Sequence, residues 1–464
     1  MLKIAKEVFH RLGESGIRYC HWKSNQHLDR SFSGTTDFDL LVARADWIKF
    51  ELLMLGCGLK RRTSTADRVY PSMEDFLGFD IETGAMIHLH VHFELILGRK
   101  SSKNFRLPIE KEVLKERVVH ENFPIYVIGP EYELAILVIR ALLKLRFAKR
   151  SSISLLLGRS ALPSNIDREF AYLLEHIDEK KLEHVLGTCF SAQTQVIRRF
   201  LSGYRAGISW PTAYALRRSM ISAMKSFERL TPIQDRQSIR LRRLAERQCV
   251  RGFAPGGFTI ALVGADGAGK STTVTAIDDW LSWKLTIRTY YMGIPKSTLT
   301  RLLNFNIRVF SKLRLSSPAR GLSELRWLYC ARKRYRNYQR ATEYRNQGGI
   351  VIFDRYPLPE LWKMQQPMDG PRIDSKSRWA AVEKKYYELI DPPDYLFVLQ
   401  VPYEDSLRRK TAQKLPRDRE IQREKIDAVY RLNGDQERVF TFDTTLGFNQ
   451  NLLNIKRRIW ESLS

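Results

Sequence analysis

The sequence predicts an α/β protein of several domains: an α+β unit at the front, a helical middle segment, and a parallel, three-layer α/β unit at the back. Three observations predict it. The 464 residues exceed what one ordinary core holds. A Pro/Gly breaker, GFAPGG at 252–257, interrupts the chain. Beyond it, short continuous apolar runs alternate with helical stretches, as expected for parallel strands covered on both faces. The boundaries read are 1–130, 131–251 and 257–464.

In the first segment, LKIAKEVFHRLGESG reads as an amphipathic helix stopped by glycine, followed by a short strand, IRYCHW. TDFDLLVA is a second strand, and ADWIKFELLMLGCG a helix capped by Gly56 or Gly58. FLGFDIETGAMIHLHVHFELIL reads as a hairpin closed around ETGA. The middle segment is helical and basic, with runs such as EYELAILVIRALLKLRF and RQSIRLRRLAERQ. In the last segment FTIALVG, IRTYYMG, GIVIFDRY and DYLFVLQV are the strands, with helices between and after them.

The formal net charge is +26. It fits a solvated surface with sites for polyanionic nucleotides. It also fits contact with nucleic acid or an anionic membrane surface. The first reading is preferred, because no nucleic-acid-binding motif accompanies the charge. The five cysteines (Cys20, Cys57, Cys189, Cys249, Cys330) form no CxxC pair and read as free thiols in a reducing compartment. No window reaches the length of apolar sequence a membrane helix needs, and the N-terminus lacks a secretory pattern. A cytoplasmic protein is expected; a homodimer is left open.

Gly264-Ala-Asp266-Gly267-Ala268-Gly269-Lys270-Ser271 matches G-x-x-x-x-G-K-[ST], follows a predicted strand and opens a predicted helix. Glycines let backbone N–H groups turn around phosphate oxygens, and the helix N-terminus adds positive potential. Lys270 is expected to reach the β- and γ-phosphates of ATP, and Ser271, followed by Thr272, to join an Mg²⁺ shell. GGIVIFDRYP adds an apolar strand ending in Asp354, a second magnesium residue, with Arg355 directly after it to suit an anionic acceptor.

GADGAGKST, LYCARKRYR, FDRY and PPDYLFVLQVPYEDSLRRK, in this order over roughly 258–460, resemble thymidylate kinases and related nucleoside monophosphate kinases. The resemblance implies ATP-dependent phosphoryl transfer to a thymidylate-like acceptor. It implies that Asp266 contacts the acceptor sugar, that Arg332 and Arg355 bind the acceptor phosphate, and that AQKLPRDREIQ is a lid. Gly267 leaves the loop without an arginine, so Lys414, Arg417 and Arg419 are the lid cations expected over the transferring group. The family's Thr-Arg-Glu-Pro-Gly stretch is replaced by YYMGIPKSTL, and its thymine-binding segment by PLPELWKMQQPMDG. Two further readings stay open: a kinase of a sugar or polysaccharide precursor, and a regulatory NTPase that binds nucleic acid.

Asp37 and Asp39 lie two apart on a predicted strand, so both carboxylates share a face and can hold one divalent metal. With Lys23 and Ser24 upstream in WKSN, this resembles minimal, polymerase-β-like nucleotidyltransferases over about 1–130, although the family's glycine turn is missing. The resemblance implies nucleotidyl transfer with Asp37 and Asp39 as catalytic metal ligands, and a third ligand from a neighbouring strand. IHLHVHFE offers His88, His90, His92 and Glu94 on one face. Imidazole ligands favour Mn²⁺ or Zn²⁺ over Mg²⁺. Acid–base work by a histidine, a structural row and a degenerate domain remain open beside that reading.

Overall fold

The computed structural model describes residues 1–64, 72–98, 103–145, 164–205, 208–245, 250–362, 368–412, 419–432 and 437–463. The chain forms two compact units, Met1–Cys249 and Val250–Ser464.

The first unit is built on a mixed sheet. Its strands are β1 (Tyr19–His21), β2 (Phe38–Val42), β3 (Lys60–Ser64), β4 (Met73–Phe79), β5 (Met86–His92), β8 (Val118–Val119) and β9 (Tyr126–Val127). A separate ribbon pairs β6 (Leu95–Leu97) with β7 (Phe105–Leu107). Within this unit the sheet runs β3-β4-β5-β2-β1-β9-β8. The expected hairpin is β4–β5, closed by Asp80 N–H donating to the Ala85 carbonyl. The strand β3 and the β6–β7 ribbon were not expected; they are short and polar or loop-flanked, and lack a long alternating run.

The period-two alternation divides the side chains of this sheet between two cores. Leu40, Val42, Leu89 and Val91 pack with the helices Lys3–Glu14 and Trp47–Gly56, where Phe9 lies 4.7 Å from Phe38 between ring centres. Cys20, Trp22 and Leu41 belong to the other core, which continues through the helix Pro130–Lys144 to Met224. That helix opens with Pro130 at its first turn, and nearly every side chain is buried, as expected of a helix enclosed on all sides. The helices Ser164–His176, Glu179–Cys189, Thr194–Arg205 and Trp210–Ala223 supply the rest of this core.

The second unit opens with β10 (Arg251–Phe253) and carries a parallel sheet of β11 (Phe258–Gly264), β12 (Ile287–Tyr291), β13 (Ile350–Asp354), β14 (Tyr395–Gln400) and β15 (Val439–Asp443). The order is β12-β13-β11-β14-β15. Strand β11 is buried along its whole length. Ala261, Val263, Val351 and Phe353 share a core with the long helix Ser316–Asn346, while Ile260, Leu262, Ile350 and Ile352 are buried on the opposite face. Both faces of the sheet are therefore covered. The edge strand β15 was expected as helix; half-exposed along Val439–Asp443, it has none of the continuous apolar character that marks its neighbours.

Candidate functional sites

In the second unit, the carboxyl end of central strand β11 runs into the phosphate loop, which opens the helix Lys270–Ser282. Gly267 (φ +86°) and Gly269 (φ +85°) take the left-handed backbone that turns the loop. A side chain at Gly267 would also lie 3.1 Å from the Ser406 carbonyl. Lys270 bends back, and its Nζ donates to the Gly264 and Ala265 carbonyls, each at 2.8 Å. Burial, then the nearby Arg355, push its pKa down to about 8. Ala268 is buried under the loop, and Thr272 faces solvent one residue beyond Ser271.

Asp354 ends β13, beside the loop strand, with Leu262 as its register partner. Ser271 Oγ donates to Asp354 Oδ2 at 2.8 Å, while Asp354 Oδ1 is buried without a hydrogen-bond partner among the described residues. A hydroxyl and a carboxylate with one oxygen unsatisfied are hard oxygen donors that fit magnesium.

Arg355 follows with φ +72°, and Asp369 has φ +57°, both in the left-handed region that costs a non-glycine residue about 1–3 kcal/mol. The Arg355 guanidinium lies 3.3 Å from Asp266 Oδ1 and 3.6 Å from Asp369 Oδ2. On its other side, Asp266 is 3.6 Å from Lys425 Nζ. Its carbonyl accepts from Ser406 Oγ at 2.8 Å and Gln422 Nε2 at 2.9 Å. Arg409 holds the Gly267 carbonyl at 3.2 Å. The loop is thus tied to the helices Tyr403–Ala412 and Arg419–Tyr430.

Arg332, expected at the acceptor phosphate, lies exposed on the helix Ser316–Asn346. The inward arginine is Arg334, two residues on, which donates to Asp369 Oδ1 at 2.9 Å, to the Met292 carbonyl and to Tyr387 Oη. An open cavity of about 420 Å³ beside it is lined by Tyr291, Lys296, Tyr329, Lys333, Arg334 and Asn337, among others. It sits past the end of β12, whose Tyr291 is the register partner of Asp354. Arg419 is exposed at the start of its helix. Lys414 and Arg417 lie outside the described residues.

In the first unit, the structure sends the two expected carboxylates to different partners. Asp39 Oδ1 is 2.7 Å from Lys23 Nζ and 3.5 Å from His92 Nε2. Burial alone would raise the Asp39 pKa, but Lys23 and the histidines outweigh it and hold it well below the usual range. Asp37, just ahead of β2, has Oδ1 3.1 Å from His88 Nδ1. Asp75 on β4, which the sequence reading missed, accepts from His88 Nε2 and His90 Nδ1, each at 2.7 Å. Its other oxygen, Oδ2, meets Arg62 at 2.6 Å. Glu94 turns to Arg106, 3.0 Å away. Among the described residues, two clusters can hold a metal: Asp39/His90/His92 and Asp75/His88/His90. Asp37 is in neither. A magnesium pair gripped by Asp37 and Asp39 does not fit these donors, because imidazoles dominate them and an ammonium already occupies Asp39.

Ser24 stands at φ +58°, so the WKSN turn has left-handed backbone without a glycine. Next to it, Asn25 donates from its backbone N–H and Nδ2 to the buried Glu133, at 3.1 and 2.6 Å, and its Oδ1 accepts from His21 Nδ1 at 2.6 Å.

No protein-family model and no curated protein matches the chain. Among solved structures, it is similar to deoxyadenosine kinase from M. mycoides with bound dATP, at 17% identity and a TM-score of 0.31, over 44% of this chain and 98% of that one. It is also similar to thymidylate kinase from Candida albicans, at 15% identity and a TM-score of 0.30, over 45% of this chain and 94% of that one.

Proposed function

We propose that the second unit transfers the terminal phosphoryl group of ATP to an anionic acceptor of the nucleoside monophosphate type. One observation carries this reading: the Lys270 loop, the Ser271–Asp354 pair with its unsatisfied oxygen, and Arg355 converge at the carboxyl ends of β11 and β13. Ligands of open parallel sheets bind at that end.

A magnesium ion held by Ser271 and Asp354 would neutralise charge building on the phosphate oxygens. The loop amides grip the phosphates, and Lys270 exchanges the Gly264 and Ala265 carbonyls for phosphate oxygen. Arg355, directly after Asp354, suits an acceptor that is itself an anion better than it suits a hydrolytic water. Lys296, Lys333 and Arg334 give the adjoining cavity the charge to receive one. Asp266, between Arg355 and Lys425, meets the acceptor sugar, as the sequence resemblance implies, once these cations turn to phosphate. Arg419, with Lys414 and Arg417, supplies charge from the lid. Alignment and charge stabilisation then do most of the work.

The test is a screen of nucleoside monophosphates and sugar phosphates with labelled ATP, using Lys270→Ala as the blank. Label transfer by wild type alone is expected; equal transfer by the variant defeats the proposal. For the first unit, nucleotidyl transfer remains the activity the sequence resemblance implies, but its residues do not fit a magnesium pair held by Asp37 and Asp39.

A further inference from the structure

We propose that Asp75, His88 and His90 form a binding site for one first-row divalent transition metal, with zinc or manganese rather than magnesium as its ion. This rests on neither phosphoryl transfer by the second unit nor nucleotidyl transfer by the first.

The sheet register builds the site. Asp75 on β4 is the direct cross-strand partner of His90 on β5, and His88, two residues earlier, points to the same face. Their ligand atoms converge on one spot: His88 Nε2 and His90 Nδ1 each lie 2.7 Å from Asp75 Oδ1, and the three lie within 4.8 Å of one another. Two imidazoles and one carboxylate on one side of an ion leave its other positions open, the arrangement that suits transition metals.

Groups behind the ligands fix their orientation. His88 brings its second nitrogen, Nδ1, within 3.1 Å of Asp37 Oδ1, so that a small turn of the ring onto an ion would complete the carboxylate–histidine–metal relay that sets a tautomer and raises ligand basicity. Arg62, the cross-strand partner of Asp75 on β3, holds Oδ2 at 2.6 Å and leaves Oδ1 for the ion. Asp37 is thus a supporting residue and not a ligand.

The neighbouring cluster, Asp39/His90/His92, is the competitor. There the same carboxylate oxygen that faces His92 already has the Lys23 ammonium at 2.7 Å. Repulsion between that ammonium and a dication disfavours the second position. At Asp75 the cation sits on the opposite oxygen. One ion between the two clusters, which share His90, follows.

The full chain, stripped with chelator and reloaded with Co²⁺ without nucleotide, reads the site directly. One cobalt per chain with visible ligand-field bands is expected, displaced by Zn²⁺ and not by Mg²⁺. His90→Ala and Asp75→Asn should abolish the bands, and Asp37→Asn should weaken binding about 10–100-fold. Lys270→Ala should leave them unchanged. X-ray absorption on the wild-type chain should count two imidazoles, which keeps the test decisive should a variant fail to fold. No stoichiometric cobalt, or bands that survive His90→Ala, overturns the site. Bands abolished by Asp39→Asn but untouched by Asp75→Asn move the ion to the other cluster and overturn the assignment too.

Discussion

Ser271 Oγ donates to Asp354 Oδ2 across 2.8 Å, and the second oxygen of that carboxylate is buried with no hydrogen-bond partner among the described residues. A buried, unpaired carboxylate oxygen costs stability unless something else satisfies it. The pair is therefore prepared for a cation. Asp354→Asn keeps the shape and removes the charge. Magnesium-dependent phosphoryl transfer should fall about 100-fold, corresponding to about 2.7 kcal/mol of lost charge stabilisation. Circular dichroism should show a folded chain. Turnover within a few-fold of wild type would remove Asp354 from the metal shell.

Lys270 gives a second prediction, in pH. Burial and the adjacent Arg355 lower its pKa to about 8 from 10.5. A nucleotide's phosphates favour the ammonium form. Below pH about 8 that form is already present, so affinity for ATP should be flat. Above it the unliganded protein must take up a proton to bind, and the Kd should rise toward tenfold per pH unit. Isothermal titration between pH 7 and 9.5 measures this. The same slope in Lys270→Ala would assign the titration to another group.

The phosphate loop was legible because its chemistry fixes residue types at fixed spacing, and a strand and a helix flank it as required. The inward-facing arginine was not. Arg326, Arg332, Arg334 and Arg336 all lie on one continuous helix, Ser316–Asn346, with almost no amphipathic pattern to orient it. Only packing against Met292, Asp369 and Tyr387 selects Arg334. Asp75 is a different kind of miss. The hairpin was read correctly, and counting outward from Asp80 opposite Ala85 brings Asp75 opposite His90. The third carboxylate lies across the register from the histidine strand, not along it. The separation of Asp37 from Asp39 was beyond reach, since alternation puts both on one face and only Lys23 and His88 decide where each carboxylate goes.

The arginine assignment is itself testable by a pair of substitutions. Arg332→Ala removes an exposed side chain and should change stability by no more than about 0.5 kcal/mol, with the acceptor KM unchanged. Arg334→Ala deletes one half of a buried ion pair and leaves Asp369 only the more distant Arg355, at a cost of about 3 kcal/mol. Thermal denaturation beside acceptor kinetics separates the two. A raised acceptor KM in Arg332→Ala would restore that residue to the phosphate.

Glu133 supplies a prediction for the first unit that needs no knowledge of its chemistry. Burial, and then the charge of Glu169, raise its pKa to about 7 from 4.5, against the two hydrogen bonds that Asn25 donates. With a raised carboxyl pKa the folded state holds the proton more tightly than the unfolded one. The resulting stability is fully present below pH about 4.5 and is lost as pH rises through about 7. Across that window the helix Pro130–Lys144 should become easier to open by up to about 1.4 kcal/mol per pH unit. Glu133→Gln cannot titrate, so the difference between wild type and variant should carry this slope. Hydrogen exchange of peptides from that helix, corrected for intrinsic pH dependence, reads it. Parallel wild-type and variant profiles would mean that Glu133 is ionised throughout, with Asn25 outweighing the cost of burial.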